Sequence, residues 1–137
     1  MADAPEITEI VRAQMPLCET LGMRFFGGAE EIDATLAWAP ELCTAGGILH
    51  GGVLMALADS AGAVCAFLNM PEGSRTSTIE SKTNFLGAVR SGDVRARSRP
   101  LHVGKTTVVI ETDVLDETGR LVARTMQTQA VLAGSDP

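Results

Sequence analysis

One apolar run constrains the fold more than any other part of the sequence. It covers residues 48–70 and reads ILHGGVLMALADSAGAVCAFLNM. Over positions 42–71, Asp59 is the only Asp, Glu, Lys or Arg. The run is long enough to cross a bilayer, but an aspartate near its centre costs about 2.5–3.5 kcal/mol on insertion scales. The sequence therefore favours a helix at about 51–69 that a protein core buries on most of its surface.

The segments on both sides of this helix have the alternation typical of β-strands. Two strands are predicted before the helix and four after it, at 23–26, 31–39, 76–86, 93–103, 106–115 and 121–132. Asp3, Pro5 and Glu6 form a pattern typical of a helix N-terminus. The pattern predicts an α+β fold in which one antiparallel sheet wraps around the apolar helix.

Length and charge narrow the class of protein. The 137 residues predict a single domain, 1–137, with a core at about 17–131, a peripheral N-terminal helix and a short C-terminal tail. A net charge of −6 argues against non-specific binding to nucleic acid or to an anionic membrane. The acidic start lacks the features of a secretory signal, and the three widely spaced cysteines fit no metal motif. We expect a cytoplasmic protein with reduced thiols and no metal site.

Asp59 has two interpretations, a structural aspartate or a carboxylate placed for chemistry. At 100° per residue, Val53, Leu57, Ala61, Val64 and Leu68 share one helical face. Asp59 lies roughly opposite, where Gly62, Ala63 and Ala66 would allow another backbone or a ligand to approach closely. A carboxylate in such surroundings would suit a general base.

The start of the helix favours the chemical interpretation. His50, Gly51 and Gly52 stand where backbone N–H groups have no intrahelical partner and the helix dipole favours negative charge. Such amides can stabilise an oxyanion. Gly51 and Asp59 are eight residues apart, however, about 12 Å along a helix axis. One chain cannot hold one carbonyl between both groups, whereas a second copy of the chain could supply the missing half.

Three stretches resemble a known family. GILHGGVLMALADSAG is similar to the HGG-xxxx-LAD signature of the PaaI-like hot-dog-fold acyl-CoA thioesterases, and the similarity continues through TIESKTNFLGAVRSGD and GKTTVVIETDVLDETGRLVAR. It covers residues 17–131. The resemblance implies a hot-dog fold, with six antiparallel strands around one long central helix. It also implies dimers or tetramers of the chain, with sheets joined edge to edge and two composite sites at each dimer interface.

The resemblance also implies roles for individual residues. Asp59 matches the catalytic carboxylate, as nucleophile or as general base, and the Gly51 amide matches the group that polarises the thioester carbonyl. His50 matches a histidine that orients its neighbours, and Thr78 a residue that positions water or the carboxylate. Thr44 stands where the family usually has an asparagine that helps to bind water or the thioester. Gly87 and Ala88 follow Leu86 where the family has a proline.

A basic segment provides a separate clue to the substrate. Residues 75–105 contain seven of the eleven basic residues against two acidic ones, a local charge of +5. This segment is either a solvated strand face or a docking surface for the phosphates of coenzyme A. Arg90 and Lys105 are the favoured contacts because they lie at predicted strand ends. The predicted substrate-binding residues are Gly52, Leu86, Gly87, Ala88, Arg90, Val103, Gly104 and Lys105.

The sequence thus predicts an acyl-CoA thioesterase that acts on an aryl or medium-chain acyl group. We expect no cofactor beyond the coenzyme A of the substrate, and no nucleic-acid or membrane partner. One alternative is a non-catalytic acyl-CoA-binding domain, which Thr44 makes plausible. A hot-dog dehydratase is disfavoured because the histidine and acid motif of that class is absent from the sequence.

Overall fold

The computed structural model describes residues 5–134, and the side chain of Pro5 is outside the description. Asp3, predicted at the helix start, and residues 135–137 of the predicted tail lie outside the described residues. The three α-helices are α1 (Pro5–Gln14), α2 (Pro16–Thr20) and α3 (Gly51–Leu68). The six strands are β1 (Arg24–Gly27), β2 (Ile32–Ala37), β3 (Arg75–Phe85), β4 (Asp93–Val103), β5 (Thr107–Leu115) and β6 (Leu121–Leu132).

The strands form one sheet in the order β1-β2-β4-β5-β6-β3, and all neighbours are antiparallel. Three pairs, β1–β2, β4–β5 and β5–β6, are consecutive in the chain. The helix α3 separates β2 from β3, and β3 pairs with β6 at the sheet edge opposite β1. The predicted hot-dog arrangement is confirmed.

Alternation along the strands separates the two faces of the sheet. In β4, Val94, Ala96 and Ser98 are buried against the inner side, whereas Arg95 and the two following arginines face outward. The inner face packs on α3, whose Leu57, Ala58 and Ala61 belong to the hydrophobic core. The apolar composition of α3 thus follows from its position under the sheet.

The helix α3 is less covered than the sequence predicts. Nine of its 18 residues are buried, but Met55 is 41% exposed and Phe67 58% exposed within one chain. Of the helices in residues 5–134, α3 alone has the length and hydropathy of a membrane span. The buried hydrophobic residues of α3 belong to the hydrophobic core between the helix and the sheet, as in the core helix of a globular domain.

The N-terminal helix α1, predicted to be peripheral, is tied to β1. The backbone N–H of Phe25 donates to Thr8 Oγ1 at 2.9 Å, and Arg12 Nε donates to the Met23 carbonyl at 2.9 Å. After α1, Pro16 begins α2, a five-residue helix that the sequence pattern does not reveal. Proline fits the first turn of a helix, where no backbone N–H is needed.

The edge strand β3 contains a bulge. Its register against β6 shifts between Thr78, which pairs with Gln129, and Glu80, which pairs with Thr128. The extra residue, Ile79, is 61% exposed. Because of the shift, Thr78 and Ser81 both pair with inward-facing residues of β6, although they are three positions apart.

Candidate active site

The amino end of α3 leaves one backbone donor available. His50 is the N-cap of the helix, and its Nδ1 accepts the N–H of Gly52 at 2.8 Å. This contact requires an unprotonated Nδ1 and occupies the Gly52 amide, which was predicted to bind substrate. The amides of Val53 and Leu54 donate to the His50 carbonyl. In the described part of the chain the Gly51 N–H has no acceptor, so it is free to meet a ligand oxygen.

An open pocket of about 370 Å³ surrounds this amide. It is lined by Thr44, Ile48, Leu49, Gly51, Leu54, Phe85, Gly87 and Ala88. Four of these residues were predicted as site residues, namely Thr44, Gly51, Gly87 and Ala88. The aromatic wall formed by Phe85 was not predicted. A Cβ at Gly51 would lie 3.1 Å from the Phe85 ring, so glycine permits this close packing.

The remaining predicted contacts are divided between the two ends of the sheet. Leu86 is exposed beside the pocket, and Arg90 Nη1 lies 3.5 Å from the Gly46 carbonyl in the loop that carries Thr44. In contrast, Val103, Gly104 and Lys105 lie in or next to the β4–β5 turn. This turn is beside the Arg75 end of β3, since Val131 N–H donates to the Thr106 carbonyl and Arg75 pairs with Leu132. The ten residue steps of β3 put this turn about 33 Å from Phe85.

Asp59 is half-buried in the middle of α3, where two side chains donate to the same carboxylate oxygen. Thr78 Oγ1 lies 3.3 Å from Asp59 Oδ1, and Gln127 Nε2 lies 3.1 Å from it. Gln129 Nε2 in turn donates to Thr78 Oγ1 at 2.7 Å. Among the described residues no donor contacts the other oxygen, Oδ2. The predicted pairing of Asp59 with Thr78 is present, and Oδ2 is available for chemistry.

Sequence reasoning missed Gln127 and Gln129. Both are 1% exposed and lie on the inner face of β6, in phase with the buried Ala123 and Thr125. Two amides at core-facing positions of an alternating strand are a signal that the sequence does contain. The partner of each amide could not be read from that signal, because it depends on the packing of β6 against α3 and β3.

A second cavity, of about 260 Å³, begins one helical turn beyond Asp59. Its walls come from α1, α3 and β3 and include Ile7, Ile10, Val11, Ala63, Phe67 and Thr76. Ala63 and Phe67 are four and eight residues after Asp59, so they share its helical face. Thr76 lies on the same face of β3 as Thr78. The cavity is therefore apolar and lies on the same faces of α3 and β3 as Asp59 and Thr78.

Three of the seven basic residues in the basic segment, Arg95, Arg97 and Arg99, are neutralised by ion pairs on the outer face of the sheet. Asp33, which is fully buried, accepts Arg95 Nη1 at 2.7 Å and Arg97 Nε at 3.1 Å. Arg99 Nη2 lies 3.2 Å from Glu111 and 3.4 Å from Asp113. The hydrogen bond that Arg97 donates to Asp33 raises the pKa of Arg97 despite burial. These three arginines are paired with carboxylates of neighbouring segments, so they are not free charges on the outer face.

Burial alone would raise the pKa of Asp113, but two arginines outweigh it. Arg124 Nε donates to Asp113 Oδ1 at 2.7 Å, and Arg99 contacts the other oxygen. Together their hydrogen bonds and charges lower the pKa of Asp113 below its ordinary value. The outer face thus carries a continuous ion-pair network from β2 to β6.

The fold and these two sets of groups define a class of protein. One antiparallel sheet wraps around a helix that has a free amide at its start and a hydrogen-bonded carboxylate two turns later. This is the arrangement of a hot-dog-fold hydrolase that acts on a polarised carbonyl.

Comparison with known proteins identifies the family. Residues 46–123 match the family model described as the thioesterase superfamily. The 1,4-dihydroxy-2-naphthoyl-CoA hydrolase of Escherichia coli is 31% identical over 77% of this chain and 77% of its own length. The proofreading thioesterase EntH of Cronobacter turicensis is 30% identical over 85% of both chains. A thioesterase crystal structure from Haemophilus influenzae has a TM-score of 0.83 at 30% identity, covering 88% of this chain and 85% of that one.

The chain belongs to the thioesterase superfamily and is a thioester hydrolase of the hot-dog fold. The narrower resemblance to the PaaI-like group stays a prediction.

Proposed function

We propose that the chain hydrolyses acyl-CoA thioesters whose acyl group is aryl or medium-chain, giving the free acid and coenzyme A. The observation that best supports this proposal is the way in which the carboxylate of Asp59 is held. It is held through Oδ1 by Thr78 and Gln127, leaves Oδ2 without a donor among the described residues, and lies one helical turn before an apolar cavity. The coenzyme A hydrolase from Escherichia coli supports this substrate class by similarity.

The proposed reaction uses Asp59 and Gly51 in complementary roles. The Gly51 N–H polarises the thioester carbonyl and stabilises the negative charge that develops on its oxygen. Asp59 Oδ2 either takes a proton from an attacking water or attacks the carbonyl carbon itself. In both routes the C–S bond breaks and the thiolate of coenzyme A leaves, to be protonated. In the second route the acyl group is left on Asp59 as a mixed anhydride, which water then hydrolyses to release the free acid and restore the carboxylate. No cofactor takes part beyond the coenzyme A of the substrate.

The proposed site is shared between two copies of the chain. Gly51 packs against Phe85 at one end of β3, whereas Asp59 contacts Thr78 nearer the other end. β3 is an edge strand, and Ile79 and Phe85 on it are exposed in the isolated chain. Antiparallel pairing of two β3 edges would bring the Thr78 half of one strand toward the Phe85 end of the other.

The same pairing would explain the predicted contacts at the far end of the sheet. The 103–105 turn lies beside the Arg75 end of β3, which such a dimer would place near the partner's Gly51 pocket. Lys105 could then join Arg90 around the phosphates of coenzyme A. The arginines at 95, 97 and 99 are excluded from this role by their ion pairs.

The proposal is tested with a panel of acyl-CoA thioesters, read by release of free thiol. Phenylacetyl-, benzoyl- and octanoyl-CoA should be hydrolysed with higher kcat/KM than acetyl- or palmitoyl-CoA. Asp59→Asn keeps the shape of the side chain and removes the base, so turnover should fall by at least about 10²-fold while substrate still binds. Normal turnover by Asp59→Asn would show that the aspartate is structural.

Thr44 is the reason to consider a second function, binding of acyl-CoA without hydrolysis, which the same panel of thioesters detects. Thr44 lines the pocket beside Gly51. Its hydroxyl side chain is shorter than the asparagine that the PaaI-like family usually has at this position. If calorimetry shows that acyl-CoA binds while no thiol is released by the wild-type protein, the chain is a binding domain instead.

A further inference from the structure

We propose that Gln127 is a positioning residue, held in place by Gly62, that orients Asp59 so that Oδ2 is the reacting oxygen. The inference rests on the proposed catalytic role of Asp59. Gln127 does not touch the substrate in this scheme and acts through the carboxylate.

The first observation is the incomplete pairing of a buried amide. Gln127 is 1% exposed on the inner face of β6, and its Nε2 donates to Asp59 Oδ1 at 3.1 Å. Its Oε1 is buried and has no hydrogen-bond partner among residues 5–134. Leaving a buried acceptor without a hydrogen bond is unfavourable for folding. The Gln127 amide is therefore poorly placed to stabilise the fold. The hydrogen bond that its side chain does make is to the Asp59 carboxylate.

The second observation is the glycine that faces this amide. Gly62 lies three residues after Asp59 on the same side of α3, and a Cβ there would overlap Oε1 and the amide carbon of Gln127. Gly62 has an ordinary helical backbone without positive φ, so its conformation does not require glycine. Glycine within a helix is less favourable than alanine. Its benefit here is that the amide of Gln127 can lie directly against the helix.

The third observation is the direction of the two donors. Thr78 and Gln127 come from different strands, β3 and β6, yet both donate to Oδ1. Two donors on one oxygen restrict rotation of the carboxylate and fix the direction of Oδ2. Thr78 is exposed, and its hydroxyl lies 3.3 Å from Asp59 Oδ1. Gln127 is buried in the core, and its Nε2 lies 3.1 Å from the same oxygen. Gln127 is therefore the more rigid of the two supports.

The test separates kcat from KM. Gln127→Met keeps the length of the side chain and removes both polar atoms, so kcat should fall about 10- to 100-fold with KM within about twofold, as expected for a misplaced reacting group. Gly62→Ala leaves Gln127 in the sequence but displaces its amide, and should give a similar loss. If Gly62 acts only through Gln127, the double variant Gly62→Ala/Gln127→Ala should have the same kcat as Gln127→Ala alone.

Thr112→Val is the matched control. Thr112 is also fully buried on the inner face, where its hydroxyl lies 2.6 Å from Ser98 Oγ, and it makes no hydrogen bond with Asp59. This variant should lower Tm and leave kcat unchanged. A fall in kcat equal to that of Gln127→Met would assign the effect to general loss of buried polar contacts and overturn the proposal.

Other outcomes separate this inference from the proposed function. If Asp59→Asn is inactive and Gln127→Met retains kcat within twofold of wild type, the positioning role is refuted and the thioesterase proposal stands. If the wild-type chain releases no thiol from any thioester, the proposed function itself fails. If Gln127→Met does not fold, Gly62→Ala/Gln127→Ala decides, since the new methyl group occupies part of the vacated space. Normal kcat in that variant refutes the role.

Discussion

At the scale of single residues, the lone carboxylate of the apolar helix is explained by its donors. A charged group in a partly desolvated position is costly unless it is hydrogen-bonded, and Asp59 receives two hydrogen bonds from the sheet. Its other oxygen, Oδ2, has no donor among the described residues. The side chains that follow on the same face, Ala63 and Phe67, are apolar and border the second cavity.

The size of that cavity predicts a change in substrate preference. Ala63→Leu should fill the part nearest Asp59 and lower kcat/KM for octanoyl-CoA about tenfold, because losing burial of two methylenes costs about 0.8 kcal/mol each. Acetyl-CoA hydrolysis should change little, since its methyl group does not reach as far. Ala13→Leu, on the exposed side of α1, is the control. Equal loss with both thioesters would place the acyl group elsewhere.

At the scale of elements, the outer face of the sheet is held by ion pairs between neighbouring strands. Asp113 of β5 bridges Arg99 of β4 and Arg124 of β6, and its side chain is only 17% exposed. Such a bridge links three neighbouring strands on the outer face. Its contribution to stability depends on the charge state of the carboxylate.

This bridge predicts a pH-dependent loss of stability. Because the folded-state pKa of Asp113 is lowered, its contribution is present above the unfolded-state pKa of about 3.9 and is lost as pH falls through the folded value. Asp113→Asn should therefore destabilise the protein by about 1 kcal/mol at pH 7. The difference in Tm from wild type should shrink below about pH 4.

Thermal melts between pH 3 and pH 7 measure this difference. Asp93→Asn serves as control, because Asp93 is an exposed carboxylate of the same sheet and forms no ion pair with the described residues. A destabilisation by Asp113→Asn that does not vary with pH would show that packing, rather than charge, is responsible.

At the scale of the whole molecule, Gly51 and Asp59 are parts of separate half-sites within one chain. If each complete site takes Gly51 from one copy and Asp59 from another, two inactive variants should complement each other. Gly51→Pro removes the amide without breaking a hydrogen bond within the described residues, and His50 already has the extended backbone that precedes proline. The Phe85 ring must shift slightly to admit the proline.

Mixing Gly51→Pro with Asp59→Asn chains should restore activity. Random reassortment makes about half of the dimers mixed, each with one intact site, so about a quarter of wild-type activity is expected from the dimer symmetry. Thiol release measures the activity, and differently tagged subunits verify the mixing. Two tagged forms of Asp59→Asn mixed together should stay inactive. Folded, mixed dimers without recovery would rule out the shared site.

Local patterns in the sequence predict most elements of this fold. β4 and β6 alternate because each has one face on α3, and both agree with the predicted bounds at both ends. The hairpins follow from short turns between such strands. The five-residue helix α2 escaped prediction because so short an element has no periodicity to detect. The hot-dog arrangement as a whole was expected from the family resemblance, whereas the pairing of β3 with β6 was not predicted.

Contacts between distant segments were harder to predict. The arginines of β4 looked like a free basic surface because their partners Glu31 and Asp33 lie more than 60 residues earlier in the chain. Gln127 could be recognised as an inward amide, but its contact with Asp59 depends on how closely β6 approaches α3. Phe85 beside Gly51 depends likewise on the position of an edge strand.

The bulge at Ile79 makes β3 tolerant of a change in length at this one position. Thr78 faces Asp59, while Lys82 lies on the outer face. Deletion of Ile79 would leave Thr78 and Ser81 two positions apart, so strict alternation would keep both of them facing inward. Gene variants of this chain that substitute or lack Ile79 should therefore keep the contact between Thr78 and Asp59.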